Sequence, residues 1–201
     1  MKTRVDFVSN SSSSSFIVIS DKGNLDTTDV VASVDYSGVV MLPNSELGCT
    51  QFGWQTQRYY NIFDKLNWAA IILLEMMVNE ENMSTEDKMK REISNPLFTF
   101  VELEKMLKQF CKDKFGIDVE LRKDEYRKSY YDVGYIDHQS SYRETPRNAR
   151  MFKSYKMLED FLMNTHSYID NSNDNDGRES VFNEETNEYE YVPRIPDDYE
   201  E

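Results

Sequence analysis

The sequence predicts an α+β protein: a small mixed or antiparallel sheet packed against a long central apolar helix and two amphipathic helices, with an acidic C-terminal tail. Three observations lead there. Short runs of β-branched and aromatic residues, bounded by Ser, Gly, Asn or Asp, occur near both ends of the chain and in its middle. Trp68 to Val78 is apolar at every position but Glu75, as a helix at the centre of a core should be. Two further segments carry apolar residues at three- and four-residue steps and have their own start and stop signals. Residues 1–170 are expected to form one α+β domain. Residues 171–201 are expected to form a partly mobile acidic tail.

Taken in order, Thr3 to Val8 reads as a strand, Ser9 to Ser14 as a polar loop, and Ser15 to Ser20 as a second strand. Val30 to Leu42 holds two shorter strand candidates broken at Ser37-Gly38, and Pro43 to Gln51 reads as loop. The long helix is expected from Trp54 to about Asn79. A short polar helix should follow from Thr85 to Ile93, stopped by Ser94-Asn95-Pro96. Thr99 and Glu102 have capping-box spacing. The helix they open carries Val101, Leu103, Met106, Leu107, Phe110 and Cys111 on one stripe and stops at Gly116. Ile117, Val119 and Leu121, then Tyr131, Val133 and Tyr135, alternate with other residues and read as two paired strands. Ser154 is placed to cap a helix with Met157, Leu158, Phe161 and Leu162 on one face. Tyr189 to Val192 reads as an edge strand.

Composition narrows the function classes. The chain has 201 residues, 13% of them aromatic, which is enough large apolar material for a packed body. The eleven residues of Trp68 to Val78 fall well short of the roughly 20 that span a bilayer. A polar serine run stands where a secretory signal would have its apolar stretch, and the two cysteines make no disulfide framework. A reducing cytoplasm is the expected compartment, no membrane is expected as partner, and no cofactor is expected.

The net charge of -14 is unevenly spread. Asn171 to Glu201 holds eleven acids against two bases, and the other 170 residues are near balance. Leu121 to Lys156 runs the other way, with nine bases against five acids, and Tyr126, Tyr130, Tyr131, Tyr135 and Tyr142 interleave with them. Within it Arg143, Arg147, Arg150 and Lys153 are the candidate polyanion contacts. No nucleic-acid-binding motif accompanies them, so ordinary solvated faces are the simpler account and nucleic acid is not the expected partner.

Two groups are candidates for chemistry. Asn10 and the serines Ser11, Ser12, Ser13, Ser14 and Ser15 offer hydroxyls and backbone N–H groups that could hold an anion or phosphate if they form a turn. The plain alternative is a flexible loop. Asp137 beside His138, after a strand candidate, could do acid–base work, or be a simple turn. Asn171 to Gly177 is oxygen-rich but lacks the EF-hand glutamate spacing. Cys49, Cys111, His138 and His166 have no paired spacing for zinc.

The opening Met1-Lys2-Thr3-Arg4-Val5-Asp6-Phe7-Val8-Ser9-Asn10 followed by five serines and Phe16 resembles a set of bacterial and bacteriophage proteins that share a strand, Asn, a serine run and Phe. Gln51 to Trp54, Gly134 to Ser140 and Asp170 to Asp176 are similar to later signatures of that set. The resemblance implies a phage or prophage origin, hence the cytoplasm of a bacterial host, and names no catalytic residue. Two functions are then in view. One is a phage-borne accessory protein that binds a host protein, as an acidic nucleic-acid mimic or an anti-defence factor. The other is a small enzyme on a nucleotide or phosphorylated metabolite, using the Ser11 to Ser15 loop with Asp137 and His138.

Overall fold

The computed structural model describes residues 2–5, 13–20, 23, 38–44, 50–53, 57–82, 84, 100–136, 152, 154–173, 179–183 and 188–192. They form an α+β fold. Its main sheet has four strands in the order β1 (Lys2–Val5), β2 (Ser13–Ser20), β8 (Tyr168–Asn173), β5 (Gln57–Tyr59), with every neighbour antiparallel. Two small parallel pairs stand apart from it. β3 (Val39–Leu42) pairs with β6 (Asp118–Leu121), and β4 (Gln51–Phe52) pairs with β7 (Tyr135–Ile136). β9 (Glu179–Asn183) and β10 (Glu188–Val192) make an antiparallel hairpin.

Helix α1 (Ile62–Asn82) runs through the middle. Every residue from Ile62 to Met77 is buried, since β3, β7, α2 (Phe100–Phe115) and α5 (Tyr155–Met163) close around it. Its Trp68 meets Phe152 and Phe161 edge-on, at 6.5 and 5.9 Å between ring centroids. Ile17, Ile19 and Ile169 of the sheet, Leu103, Leu107 and Phe110 of α2, and Leu158 and Leu162 of α5 belong to the same core. Cys111 is buried among them as the α2 stripe predicts, and burial pushes its thiol up to about 12.

Local signals work as expected at several ends. The Ser154 hydroxyl accepts from the Met157 N–H at 3.3 Å and caps α5. Gly116, at φ +68°, closes α2 with its N–H on the Lys112 carbonyl at 3.1 Å. The two central expectations that fail do so because tertiary pairing overrides the pattern. The long helix does not start at Trp54. Gln57–Tyr59 instead takes the edge of the main sheet, with Tyr59 opposite Ile169, and Asn61 starts the helix by accepting from the Asp64 N–H at 2.8 Å. The second failure is the strand pair proposed for 117–121 and 131–135. β6 is taken by β3 in a parallel pair, so residues 123–133 fold as two short helices, α3 (Lys123–Lys128) and α4 (Tyr130–Val133). Ion pairs from Arg122 to Glu125 and from Asp124 to Arg127 support that turn at helical spacing.

The tail boundary expected after residue 170 falls inside β8, whose Asn171 is fully buried. The hairpin of β9 and β10 also lies in the stretch read from sequence as tail. The strand candidate at 30–37 and the polar helix at 85–93 lie outside the described residues. Among the described residues, no helix is long and apolar enough to cross a membrane.

Candidate functional site

The serine run does not make a turn where it is described. Ser13, Ser14 and Ser15 continue β2 and lie opposite Asn173, Ser172 and Asn171 of β8. Backbone groups committed to a sheet ladder cannot also converge on an anion. Asn10, Ser11 and Ser12 lie outside the described residues, as do Asp137, His138, Arg143, Arg147, Arg150 and Lys153. The oxygen-rich stretch from Asn171 begins as strand, and among the described residues no three His, Cys, Asp or Glu side chains gather as a metal site would need.

Part of the basic stretch is described, and Arg122, Lys123, Arg127 and Lys156 in it are paired with acids. Arg127 bonds Glu81 at the end of α1 and reaches Asp124 at 3.4 Å. Lys123 lies 3.5 Å from Glu81, Arg122 bonds Glu125, and Lys156 bonds Asp160. The guanidinium of Arg127 holds the Glu81 carboxyl below its ordinary range, first through their hydrogen bond. These bases are therefore turned to neighbouring acids more than to a phosphate backbone.

The aromatic half of the same stretch gathers in one place. Tyr126 of α3 is buried with Val133 and Leu74, against Val78 and Leu121. Burial, and then the charge and hydrogen bond of the buried Glu75 on α1, push the Tyr126 phenol upward. From this root Tyr130 and Tyr131 rise to the surface, 43% and 57% exposed, with Tyr135 half-buried beside them. The Tyr130 and Tyr131 ring centroids are 4.1 Å apart and tilted by 33°. Tyr135 stands nearly perpendicular to both, at 6.1 and 5.0 Å. Two rings lie roughly together and the third crosses them, so the faces make an exposed corner. Tyr130 is pushed above its ordinary range, first by a hydrogen bond with Tyr131.

The corner is held by backbone. Gly134 separates α4 from β7 at φ 153° and ψ 148°, a region essentially reserved for glycine. A Cβ there would stand 2.6 Å from the Thr50 carbonyl oxygen, and the next N–H, that of Tyr135, bonds the same oxygen at 2.8 Å. The alternation of Tyr131, Val133 and Tyr135 in the sequence suggested a strand and hid this arrangement. Its usable signal was the density of tyrosine around a single glycine.

Two other polar features were not foreseen. Lys65 on α1 is 1% exposed, and its ammonium donates to the carbonyls of Asn164 and Ser167, both at 3.1 Å. Ser167 continues the network: its hydroxyl accepts from the Ser20 N–H at 2.8 Å and donates to the Asp160 carbonyl at 2.7 Å. This network ties α1, β2 and the turn from α5 into β8, and buries its polar groups where substrate could not reach. The second feature is an open groove of about 440 Å³ along α2, lined by Val101, Lys105, Lys108, Lys112 and Asp118. Lys108 bonds Glu104 at 2.7 Å and Lys112 bonds Asp118 at 2.9 Å, so most of its charge is already matched.

Comparison of the chain with protein-family profiles, with curated proteins and with solved structures gives no match.

Proposed function

We propose that this chain acts by binding a partner protein through the tyrosine corner of α4 and β7, the role expected of a phage-borne accessory protein directed at a host protein. The observation that carries this reading is the exposure of Tyr130 and Tyr131 on a rigid root. A contiguous exposed cluster of large aromatic side chains marks a contact surface, and tyrosine is among the residues that dominate binding energy at protein interfaces. Tyr126 and Val133 below, the ring contacts within the corner and the glycine-fixed backbone hold the rings in place before binding, which reduces the ordering cost of association. The nearby ion pairs among Glu81, Asp124 and Arg127 support a protein partner over a nucleic acid, since the cations already have partners.

The test is quantitative affinity capture from a bacterial host lysate, comparing the wild-type chain with a Tyr130→Ala/Tyr131→Ala variant whose circular dichroism and melting are unchanged. A captured protein that is retained by the wild type and lost by the variant is the expected result. Recovery of the same proteins in equal amounts by both would overturn the reading.

A further inference from the structure

Resting on the reading of the tyrosine corner as a binding surface, we infer that the partner protein presents an arginine to it, whose guanidinium stacks on the Tyr131 ring and donates to the Asp132 carboxylate. The rings alone would suit any apolar surface. The acid beside them points to a cation. Asp132 follows Tyr131 on α4, is exposed, and forms no ion pair with any described residue. Consecutive helical positions are turned about 100° apart, so the carboxylate stands beside the ring and leaves its face open. Tyrosine faces attract cations, and a planar guanidinium can lie flat on one while its N–H edge reaches a carboxylate.

The chain already builds this pairing on its main sheet. The guanidinium carbon of Arg58 on β5 lies 5.4 Å from the centre of the Tyr168 ring, and its Nε donates to the Asp170 carboxylate at 2.9 Å. Tyr60 packs on Tyr168 at 5.1 Å with a tilt of 41°. A tyrosine pair with a neighbouring acid thus holds an arginine whose side chain is still 57% exposed. The corner repeats the receiving half of that arrangement. Tyr130 and Tyr131 are paired at 4.1 Å with a tilt of 33°, and Asp132 is next in the chain. Among the described residues, no cation lies over Tyr130 or Tyr131.

The surrounding charges are consistent with a cationic visitor. Arg122, Lys123 and Arg127 are matched by Glu125, Glu81 and Asp124. Lys128, two positions before Tyr130, is exposed and opposes a cation, but only through water. The net charge of -14 draws basic partner surfaces toward the chain as a whole. An apolar partner would strip water from Asp132 and return nothing, whereas an arginine replaces that water with a charge-assisted bond.

The experiment uses the full-length chain and follows the ring signals of Tyr130, Tyr131 and Tyr135 by NMR. The probe is the peptide acetyl-Gly-Arg-Gly-amide, compared with the same peptide carrying citrulline, the neutral isostere of arginine. The arginine peptide is expected to move the ring signals saturably, and the citrulline peptide to bind about 3- to 30-fold more weakly. Tyr131→Leu and Asp132→Asn should each weaken the arginine peptide by about 2- to 5-fold, and Lys128→Glu should strengthen it. Tyr131→Leu leaves the charge unchanged, so general attraction to an acidic chain predicts no loss there. Equal affinity for the two peptides would overturn the inference. So would ring signals that neither peptide moves, or arginine binding that neither Tyr131→Leu nor Asp132→Asn weakens. The lysate capture separates this result from the fate of the surface. A protein lost on Tyr130→Ala/Tyr131→Ala but fully retained by Asp132→Asn would keep the corner as a binding surface and overturn only its arginine. Capture unchanged by all of these substitutions would remove the surface and the arginine together.

Discussion

Replacing Gly134 by Ala should be among the most damaging single-methyl changes available to this fold. The residue sits at φ 153° and ψ 148°, where an L side chain costs about 1–3 kcal/mol. The added Cβ would stand 2.6 Å from the Thr50 carbonyl oxygen, 2.9 Å from the Thr50 Cβ and 3.0 Å from the Ile71 Cδ1. The first of these is backbone and cannot rotate away, so either β4 or β7 must move, and overpacking of this kind costs a further ~1–3 kcal/mol. The sum is roughly 2–6 kcal/mol, set against a usual total of about 5–15 kcal/mol. Gly38→Ala is the control. Its φ is also positive, at 75°, but nothing lies within 4 Å of its Cβ, so only the backbone term of about 1–2 kcal/mol applies. Urea unfolding followed by circular dichroism, with the slope held constant between variants, measures both. If Gly134→Ala falls within about 1 kcal/mol of Gly38→Ala, the close approach to Thr50 is not what holds β7, and the account of the tyrosine corner loses its foundation.

Four other outcomes follow from the buried polar groups. Lys65→Met should destabilise by about 1–3 kcal/mol, because the Asn164 and Ser167 carbonyls lose their donor while the relief of a buried charge offsets part of the loss; equal or higher stability in urea would show the ammonium to be a burden. Asn171 is fully buried on β8, with neither Oδ1 nor Nδ2 hydrogen-bonded among the described residues, so Asn171→Leu should stabilise by about 1–2 kcal/mol; a fall in melting temperature would contradict that. Burial moves the Cys111 thiol from 9.0 to about 12, and Tyr126 is also raised. The unfolded chain therefore releases protons that the fold retains, and stability should fall as pH rises from about 9 toward 12. Cys111→Ala should shallow that slope, and an unchanged slope would assign the alkaline loss elsewhere. In the same range, native Cys111 should resist thiol reagents that modify it in urea.

Much of the skeleton was legible in the chain itself. The apolar run from Trp68 to Val78, broken only by Glu75, identified the central helix, because a helix without a polar face has nowhere to go but the core. Ser154 and Gly116 marked helix ends, because an N-terminal turn needs a side-chain acceptor and a left-handed stop needs a residue without Cβ. The Leu103, Leu107, Phe110 and Cys111 stripe likewise carried its own period. These signals act over a turn or two, and a local pattern can record them.

Tertiary structure decided the places where pairing with a distant strand overrode the local pattern. Gln57–Tyr59 read as the start of the long helix, and β8 instead took it as an edge strand. Residues 131–135 alternated like a strand, yet β3 had already claimed the strand before them, and the chain turned into two short helices. The serines at 13–15 belonged to a loop on composition and to a ladder once β8 lay alongside. The candidate site followed from the same decision. Tyr126, Tyr130, Tyr131 and Tyr135 are merely frequent in the sequence. They become a surface only because Glu75 and Leu74 of α1 root the first of them, and the Thr50 backbone stops the last. Those partners lie roughly 50 to 85 positions away, a separation over which no periodicity carries information.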